Sequence, residues 1–157
     1  MSFEKASEYL KEKGYEDRII VLQESSATVQ LAAQALGTEP EMICKSVSLL
    51  VNDQPVIILT EGTAKIDNHK YKAQFHAKAK MIPWDDVEGL IGHAPGGVCP
   101  FGIDESIPVY TDVSLKKFDI VYPACGDDHS AVRLTPGELY ALSCSQGWID
   151  VCKEPGF

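Results

Sequence analysis

A loop rich in glycine and proline is the first segment whose residues could do chemistry. Residues 92–102 read GHAPGGVCPFG, and the central residues 96–100 read GGVCP. Glycines let the main chain approach a ligand closely and present N–H groups, which can bind a phosphate or stabilise an oxyanion. The same composition also forms ordinary surface turns. Because the loop matches neither a P-loop nor a G-x-G-x-x-G motif, its spacing leaves both interpretations open.

Lys45 is the second candidate, because it lies within a predicted apolar strand between Cys44 and Ser46. A lysine that is buried without a partner is costly, so this side chain should meet an anion or reach solvent. A phosphate or carboxylate partner would make it functional. The alternative is that Lys45 lies on an edge strand, where its charge discourages aggregation.

The segment 126–130 (GDDHS) offers a possible acid or base. His129 could move a proton, oriented by Asp127 or Asp128. Gly and Asp are also the ordinary residues of tight turns, so a solvated hairpin explains the same pattern. The segment therefore marks either a catalytic group or a plain turn.

Cys99 is a candidate nucleophile, with His93 in the same loop as its candidate base. Two residues in one loop do not make a catalytic dyad, and no G-x-S-x-G elbow or carboxylate pair suggests another hydrolytic site. The five cysteines contain no C-x-x-C pair, which argues against both a zinc site and a disulfide framework. We therefore expect no metal and no cofactor.

Length and composition favour one soluble domain over residues 1–157. Apolar residues make up 45% of the 157 residues and charged residues 24%, which is ordinary for a globular protein. No apolar run is long enough to span a bilayer, and the charged N-terminal sequence lacks the apolar stretch of a signal peptide. We expect a cytoplasmic protein without a membrane partner.

The distribution of charge matters more than its sum. A net charge of −9 argues against extensive nucleic-acid binding, and we expect no DNA partner. Residues 62–84, however, contain five lysines and two histidines but one acid, Asp67. This basic segment is either a solvated helix face or a small surface that contacts phosphates.

The elements that must position these residues alternate between helices and short strands. Thr28 is a cap for a helix that ends at Gly37, and the motif 135–138 (TPGE) is a capping box. Residues 44–51 and 55–60 predict a β-hairpin. Further helices are predicted from Ser2 and over 67–75 and 85–91, and further strands over 18–22, 107–111, 119–124, 130–134 and 148–152. The order does not fit a regular βαβ wind, so we expect an α+β domain.

In combination, four stretches resemble the YbaK-type family of aminoacyl-tRNA deacylases. They are residues 28–37 (TVQLAAQALG), 41–49 (EMICKSVSL), 92–102 (GHAPGGVCPFG) and 126–139 (GDDHSAVRLTPGEL). Each stretch is weak alone, but their order and spacing cover nearly the whole chain. The family includes trans-acting editing domains related to prolyl-tRNA synthetase, and its fold is a compact α+β domain with a curved mixed sheet flanked by helices.

The resemblance implies a role for individual residues. Lys45 corresponds to the family lysine expected to grip the terminal nucleotide, and Gly96, Gly97 and Pro100 belong to the loop that surrounds the reacting ester. Together these four residues are the implied catalytic set. The residues expected to bind the substrate are Thr28, Leu31, Val47, Val98, Cys99, His129 and Ser130.

The resemblance also implies the reaction, which is hydrolysis of the ester between a wrong amino acid and its tRNA. Such an ester is already activated, so positioning and backbone amides suffice for its hydrolysis. The expected substrate is tRNA(Pro) carrying alanine or cysteine. The expected partners are the acceptor end of the aminoacyl-tRNA and prolyl-tRNA synthetase.

Three other functions stay open on the sequence. A module of the same fold could bind aminoacyl-tRNA or a small ligand without hydrolysis. A thiol hydrolase would depend on Cys99, and a general RNA binder would bind tRNA whether or not it is aminoacylated.

Overall fold

The computed structural model describes residues 2–153, which form helices packed around a mixed β-sheet. The helices of this part of the chain are α1 (Ser2–Glu12), α2 (Val29–Leu36), α3 (Asn68–Phe75), α4 (Val87–Ile91) and α5 (Pro136–Leu142). Its strands are β1 (Ile19–Val21), β2 (Ile43–Val51), β3 (Gln54–Glu61), β4 (Val109–Asp112), β5 (Tyr122–Pro123), β6 (Ser130–Val132) and β7 (Trp148–Ile149). Short 3₁₀ turns cover Glu16–Arg18, Pro40–Met42, Trp84–Asp86 and Val113–Lys117. The predicted α+β class is confirmed.

The main sheet has the strand order β5-β2-β3-β4-β7. Strands β2 and β3 pair antiparallel, while the pairs β2–β5, β3–β4 and β4–β7 are parallel. A second sheet, β1–β6, is antiparallel, and the bridges Ala124–Ala131 and Val121–Leu134 connect the segments around β5 and β6. The site described below lies where these two sheets approach each other.

Several strands are shorter than the sequence predicts, and β5 and β7 differ most. Residues 119–124 are predicted as one strand, but β5 covers only Tyr122–Pro123, because it pairs with β2 only at Ile43 and Cys44. Residues 148–152 likewise supply only the two residues of β7, which reach β4 at Thr111 and Asp112. Apolar sequence continues beyond both pairings without extending either strand.

The β2–β3 hairpin is the centre of the sheet, and its turn explains its register. Asn52 and Asp53 have positive φ angles of 51° and 65°, the backbone that a two-residue hairpin turn requires. Alternate residues of β3 then face opposite sides of the sheet. Ile57 and Leu59 join the larger core cluster, whereas Val56 and Ile58 join the second cluster beneath Tyr71 of α3.

The helix ends follow the predicted capping residues. Thr28 Oγ1 accepts a hydrogen bond from Leu31 N (3.1 Å), and Gly37 ends α2 with φ 68°. Thr135 and Glu138 form the predicted capping box at the start of α5. No helix within residues 2–153 is long and apolar enough to cross a membrane.

Candidate functional site

A cavity of about 290 Å³ opens at the edge of β2. Strand β5 covers this edge at Ile43 and Cys44, and the segment 80–82 covers it further along through the hydrogen bonds Leu50 N–Lys80 O (2.8 Å) and Ile82 N–Ser48 O (3.0 Å). Lys45 and Ser46 lie between the two pairings and line the cavity. The start of α2, the glycine-rich loop and strand β6 supply the remaining walls.

The glycine-rich loop reaches this cavity because it packs tightly on the turn before β6. A Cβ atom placed on Gly97 would lie 2.6 Å from both Cα and N of Asp127. Gly96 has a φ of 91°, a conformation that glycine adopts without strain. The two glycines therefore serve different purposes, since Gly97 allows contact between two backbones and Gly96 allows the loop to turn along the cavity.

The turn 126–130 is organised by one carboxylate. Asp127 Oδ1 accepts hydrogen bonds from His129 N (2.9 Å) and Ser130 Oγ (2.6 Å). The outer side of the turn is fixed by Ser26 N, which donates to Asp128 O (2.6 Å), and by Leu22 N, which donates to His129 O (2.7 Å). This network places Ser130 in the cavity wall and leaves the side chain of His129 exposed, paired with Asp128 Oδ1 at 2.6 Å.

Lys45 has the only charged side chain among the described residues that line the cavity. It is half-buried, and its Nζ donates to the main-chain oxygen of Ala64 at 2.6 Å. Burial lowers the pKa of Lys45, while the nearby Cys152 and Glu61 act in the opposite direction. Among the described residues, no carboxylate is hydrogen-bonded to the ammonium group of Lys45. An anionic group of a ligand could therefore pair with it.

His93 and Cys99 are buried residues of the glycine-rich loop and do not form a nucleophilic pair. His93 is fully buried, and its Nε2 donates to Phe101 O at 2.8 Å. That nitrogen already carries its proton, so it cannot accept one from Cys99 Sγ, 3.5 Å away. Burial raises the pKa of the Cys99 thiol and lowers that of His93. Both changes favour the neutral forms, which suits a structural role.

Serine hydroxyls supply most of the remaining polarity of the cavity. Ser26, Ser46, Ser48 and Ser130 all line it. The Oγ atoms of Ser26 and Ser46 are buried and have no hydrogen-bond partner within the described residues. A buried hydroxyl that lacks a partner is costly, so these two atoms are available to a ligand.

The structure brings together only part of the set predicted from the sequence. Thr28, Lys45, Gly96, Val98 and Ser130 line the cavity. Gly97 and Pro100 are buried in the loop behind it, and Cys99 belongs to the larger core cluster. Leu31 is 41% exposed on α2, and Val47 packs in the second core cluster. His129 lies on the turn, with its side chain paired to Asp128.

Several lining residues are missing from that set, among them Ser46, Ser48, Met81, Trp84 and Tyr122. The signal for the serines is present in the sequence. Cys44, Ser46 and Ser48 alternate along β2 and therefore share one face, and small polar residues interrupt an otherwise apolar strand there. Met81 and Trp84 carry no comparable signal, because their place depends on how the segment after α3 returns to β2.

The chain belongs to the aminoacyl-tRNA editing domain family, whose model matches residues 23–142. The match includes the cavity-lining start of α2, Lys45, the glycine-rich loop and the turn before β6.

Among its relatives, the uncharacterized protein YwhH of Bacillus subtilis is 43% identical over 155 residues, which cover 98% of this chain and 99% of that protein. The proline–tRNA ligase of Shouchella clausii is 27% identical over 120 residues, which cover 74% of this chain but only 21% of the ligase. A crystal structure described as a proposed trans-editing enzyme for prolyl-tRNA synthetase superposes with a TM-score of 0.86 and 28% identity, covering 98% of both chains. The YbaK-type family expected from the sequence motifs is thereby confirmed.

Proposed function

We propose that the protein hydrolyses the ester that joins a small wrong amino acid, alanine or cysteine, to the 3′ end of tRNA(Pro). One observation carries the proposal, which is that Lys45 is the sole charged side chain among the described residues lining the cavity. A lysine at the wall of such a cavity suits a phosphate, to which it offers a point charge. An aminoacyl-tRNA carries a small amino acid, which the cavity can hold, beside a nucleotide phosphate, which Lys45 can bind.

The dimensions and chemistry of the cavity support a small amino acid. Its volume is about 290 Å³, and Ala32, Ala124 and Ala131 contribute to its apolar wall. Such a pocket separates substrates that differ by one methyl group by only about 1–3 kcal/mol. We therefore propose a preference for alanine or cysteine rather than absolute selectivity.

The proposed reaction relies on positioning more than on acid–base catalysis. A water oxygen bonds to the ester carbonyl carbon, the bond to the ribose oxygen breaks, and a proton passes to that leaving oxygen. The lining residues of the described chain include no histidine and no carboxylate, so backbone amides and Lys45 supply the electrostatics. Gly97 N already donates to Ala94 O (3.0 Å), and we assign Gly97 to shaping the loop.

The rest of the tRNA contact is assigned to the basic segment 62–84. Lys65, Lys72, Lys78 and Lys80 are exposed there, whereas Lys70 bonds to Asp150 and to Cys152 O, each at 3.0 Å. A few exposed lysines are compatible with a net charge of −9, because the protein has to hold only the acceptor end. The proposal places the reaction in the cytoplasm, beside prolyl-tRNA synthetase.

The experiment that tests this function is deacylation of tRNA(Pro) charged in turn with alanine, cysteine, serine, threonine and proline. We expect rapid release of alanine or cysteine and no release of proline above the spontaneous rate. Spontaneous rates for all five substrates would overturn the proposal. Tight binding of the charged tRNA without hydrolysis would instead establish the non-catalytic binding module.

The Cys99→Ser variant separates this mechanism from a thiol hydrolase. Because Cys99 is fully buried with a raised thiol pKa, we expect the variant to lose less than about tenfold in kcat/KM, equivalent to about 1.4 kcal/mol. The measurement is deacylation of the preferred substrate, with circular dichroism as a check on folding. A folded Cys99→Ser protein with no activity would show that the thiol reacts.

A further inference from the structure

An exposed apolar lip borders the cavity, formed by Met81 and Trp84. Met81 is 59% exposed and Trp84 is 73% exposed, yet both also line the cavity. An aromatic ring of this size normally contributes to stability by being buried. A tryptophan left largely in solvent at the mouth of a pocket is instead available to a ligand.

The backbone on both sides of this lip is well anchored. Before it, Leu50 N donates to Lys80 O (2.8 Å), and Ile82 N donates to Ser48 O (3.0 Å). After it, the 3₁₀ turn Trp84–Asp86 leads into α4, where Val87 and Ile91 join the larger core. The ring of Trp84 therefore extends from a fixed position and does not depend on a flexible loop.

The exposed charged residues that precede the lip in the chain and those that follow it have opposite signs. The exposed Lys78 and Lys80 precede Met81, and the exposed Asp85 and Asp86 follow Trp84. A polyanionic ligand is attracted to the lysine side and repelled from the aspartate side. This asymmetry favours a ligand whose phosphates lie towards Lys78 and Lys80 and whose flat apolar part covers Trp84.

We propose that Trp84, supported by Met81, is a stacking platform for the nucleobase of the terminal adenosine of tRNA. The inference rests on the proposed function, because the ester is carried by the ribose of that nucleotide. With the ester inside the cavity, the adenine base of the same nucleotide has to lie at the mouth of the cavity. There it is within reach of Met81 and Trp84, which line the cavity and are also exposed at its mouth. Stacking of a base on an aromatic side chain contributes about 1–3 kcal/mol.

The test uses uncharged tRNA(Pro), so that binding is measured apart from hydrolysis. Wild type should bind the intact tRNA about 5- to 150-fold more tightly than the same tRNA that lacks its terminal adenosine but ends in the phosphate that preceded it, which is the range that base stacking provides. Trp84→Ala should lose this discrimination, and Trp84→Phe should keep most of it. Val21→Ala is the matched control, because Val21 is 72% exposed on β1 and does not line the cavity.

Fluorescence provides an independent signal. The chain has two tryptophans, so a Trp148→Phe protein reports on Trp84 alone. Its emission should be quenched by intact tRNA and much less by the shortened tRNA. Equal binding of both tRNAs by wild type, or unchanged discrimination in Trp84→Ala, would overturn the platform. The protein could also distinguish the two tRNAs through Trp84 and yet have no deacylase activity. That result would support the stacking platform and refute the proposed reaction.

Discussion

Replacing Lys45 by alanine should lower kcat/KM for the preferred mischarged tRNA by about 10- to 150-fold, the equivalent of one hydrogen bond to a charged group. Lys45 is the single charged side chain among the described cavity-lining residues, so no neighbouring cation in the wall can replace it. Its Nζ is held by one backbone oxygen, that of Ala64, and can donate further hydrogen bonds to a phosphate. The measurement is single-turnover deacylation at several tRNA concentrations.

The control for Lys45→Ala is Lys5→Ala, because Lys5 is exposed on α1 and does not line the cavity. Both variants lose one positive charge, so a general electrostatic effect would lower both activities equally. Burial lowers the pKa of Lys45, so its charge should be lost at a lower pH than that of an exposed lysine. The difference between wild type and Lys45→Ala should therefore shrink as the pH rises. Wild-type activity in a folded Lys45→Ala protein would remove the lysine from the mechanism.

The sequence correctly predicts the helix caps and the hairpin, because these depend on residues that are close together in the chain. The cap at Thr28, the stop at Gly37 and the capping box at Thr135 are all observed, because each depends on residues three or four positions apart. The hairpin is observed for the same reason, since its two-residue turn joins adjacent apolar runs.

The short parallel strands cannot be predicted in the same way. Strand β5 exists only where two residues meet Ile43 and Cys44, nearly eighty positions earlier in the chain. A parallel pairing between distant segments leaves no local signal, and apolar residues on either side look equally suitable. The sequence therefore predicts the presence of these strands but overstates their length.

The cavity wall shows a similar division. Lys45, Gly96 and Ser130 line it as the family motifs imply. Val47 shares a face of β2 with Lys45, yet it packs in the second core cluster, so the alternation of side chains along the strand does not decide which residues reach the cavity. Which face of a buried strand borders the cavity depends on tertiary packing, and both faces of β2 carry apolar residues. Trp84 is beyond local prediction altogether, since it reaches the cavity through the pairing of residues 80–82 with β2.

Gly97→Ala should damage the site, although it replaces only a single hydrogen by a methyl group. The new Cβ would lie 2.6 Å from backbone atoms of Asp127 and 2.7 Å from the carbonyl carbon of Gly126, so one of the two backbones has to move. Overpacking of this kind costs about 1–3 kcal/mol of stability. Chemical denaturation should show that loss as a lower midpoint.

The effect on activity should exceed the effect on folding. Asp127 holds Ser130 in the cavity wall, and the loop that carries Gly97 also carries Gly96 and Val98. A displacement of about 1 Å in a positioning group can cost about 100-fold in rate, so we expect a loss of that order in kcat. The substrate ester and the attacking water would both be misplaced, because both walls shift together.

Gly89→Ala is the matched control for this prediction. Gly89 lies in α4, and a Cβ there would meet no atom within 4 Å. Alanine in a helix should stabilise the protein by about 0.5–1 kcal/mol relative to glycine and leave deacylation unchanged. If Gly97→Ala matched Gly89→Ala in both stability and rate, the contact between the loop and the turn would have no part in shaping the site. A loss of activity at a temperature where Gly97→Ala stays folded would instead show that this contact positions the catalytic wall.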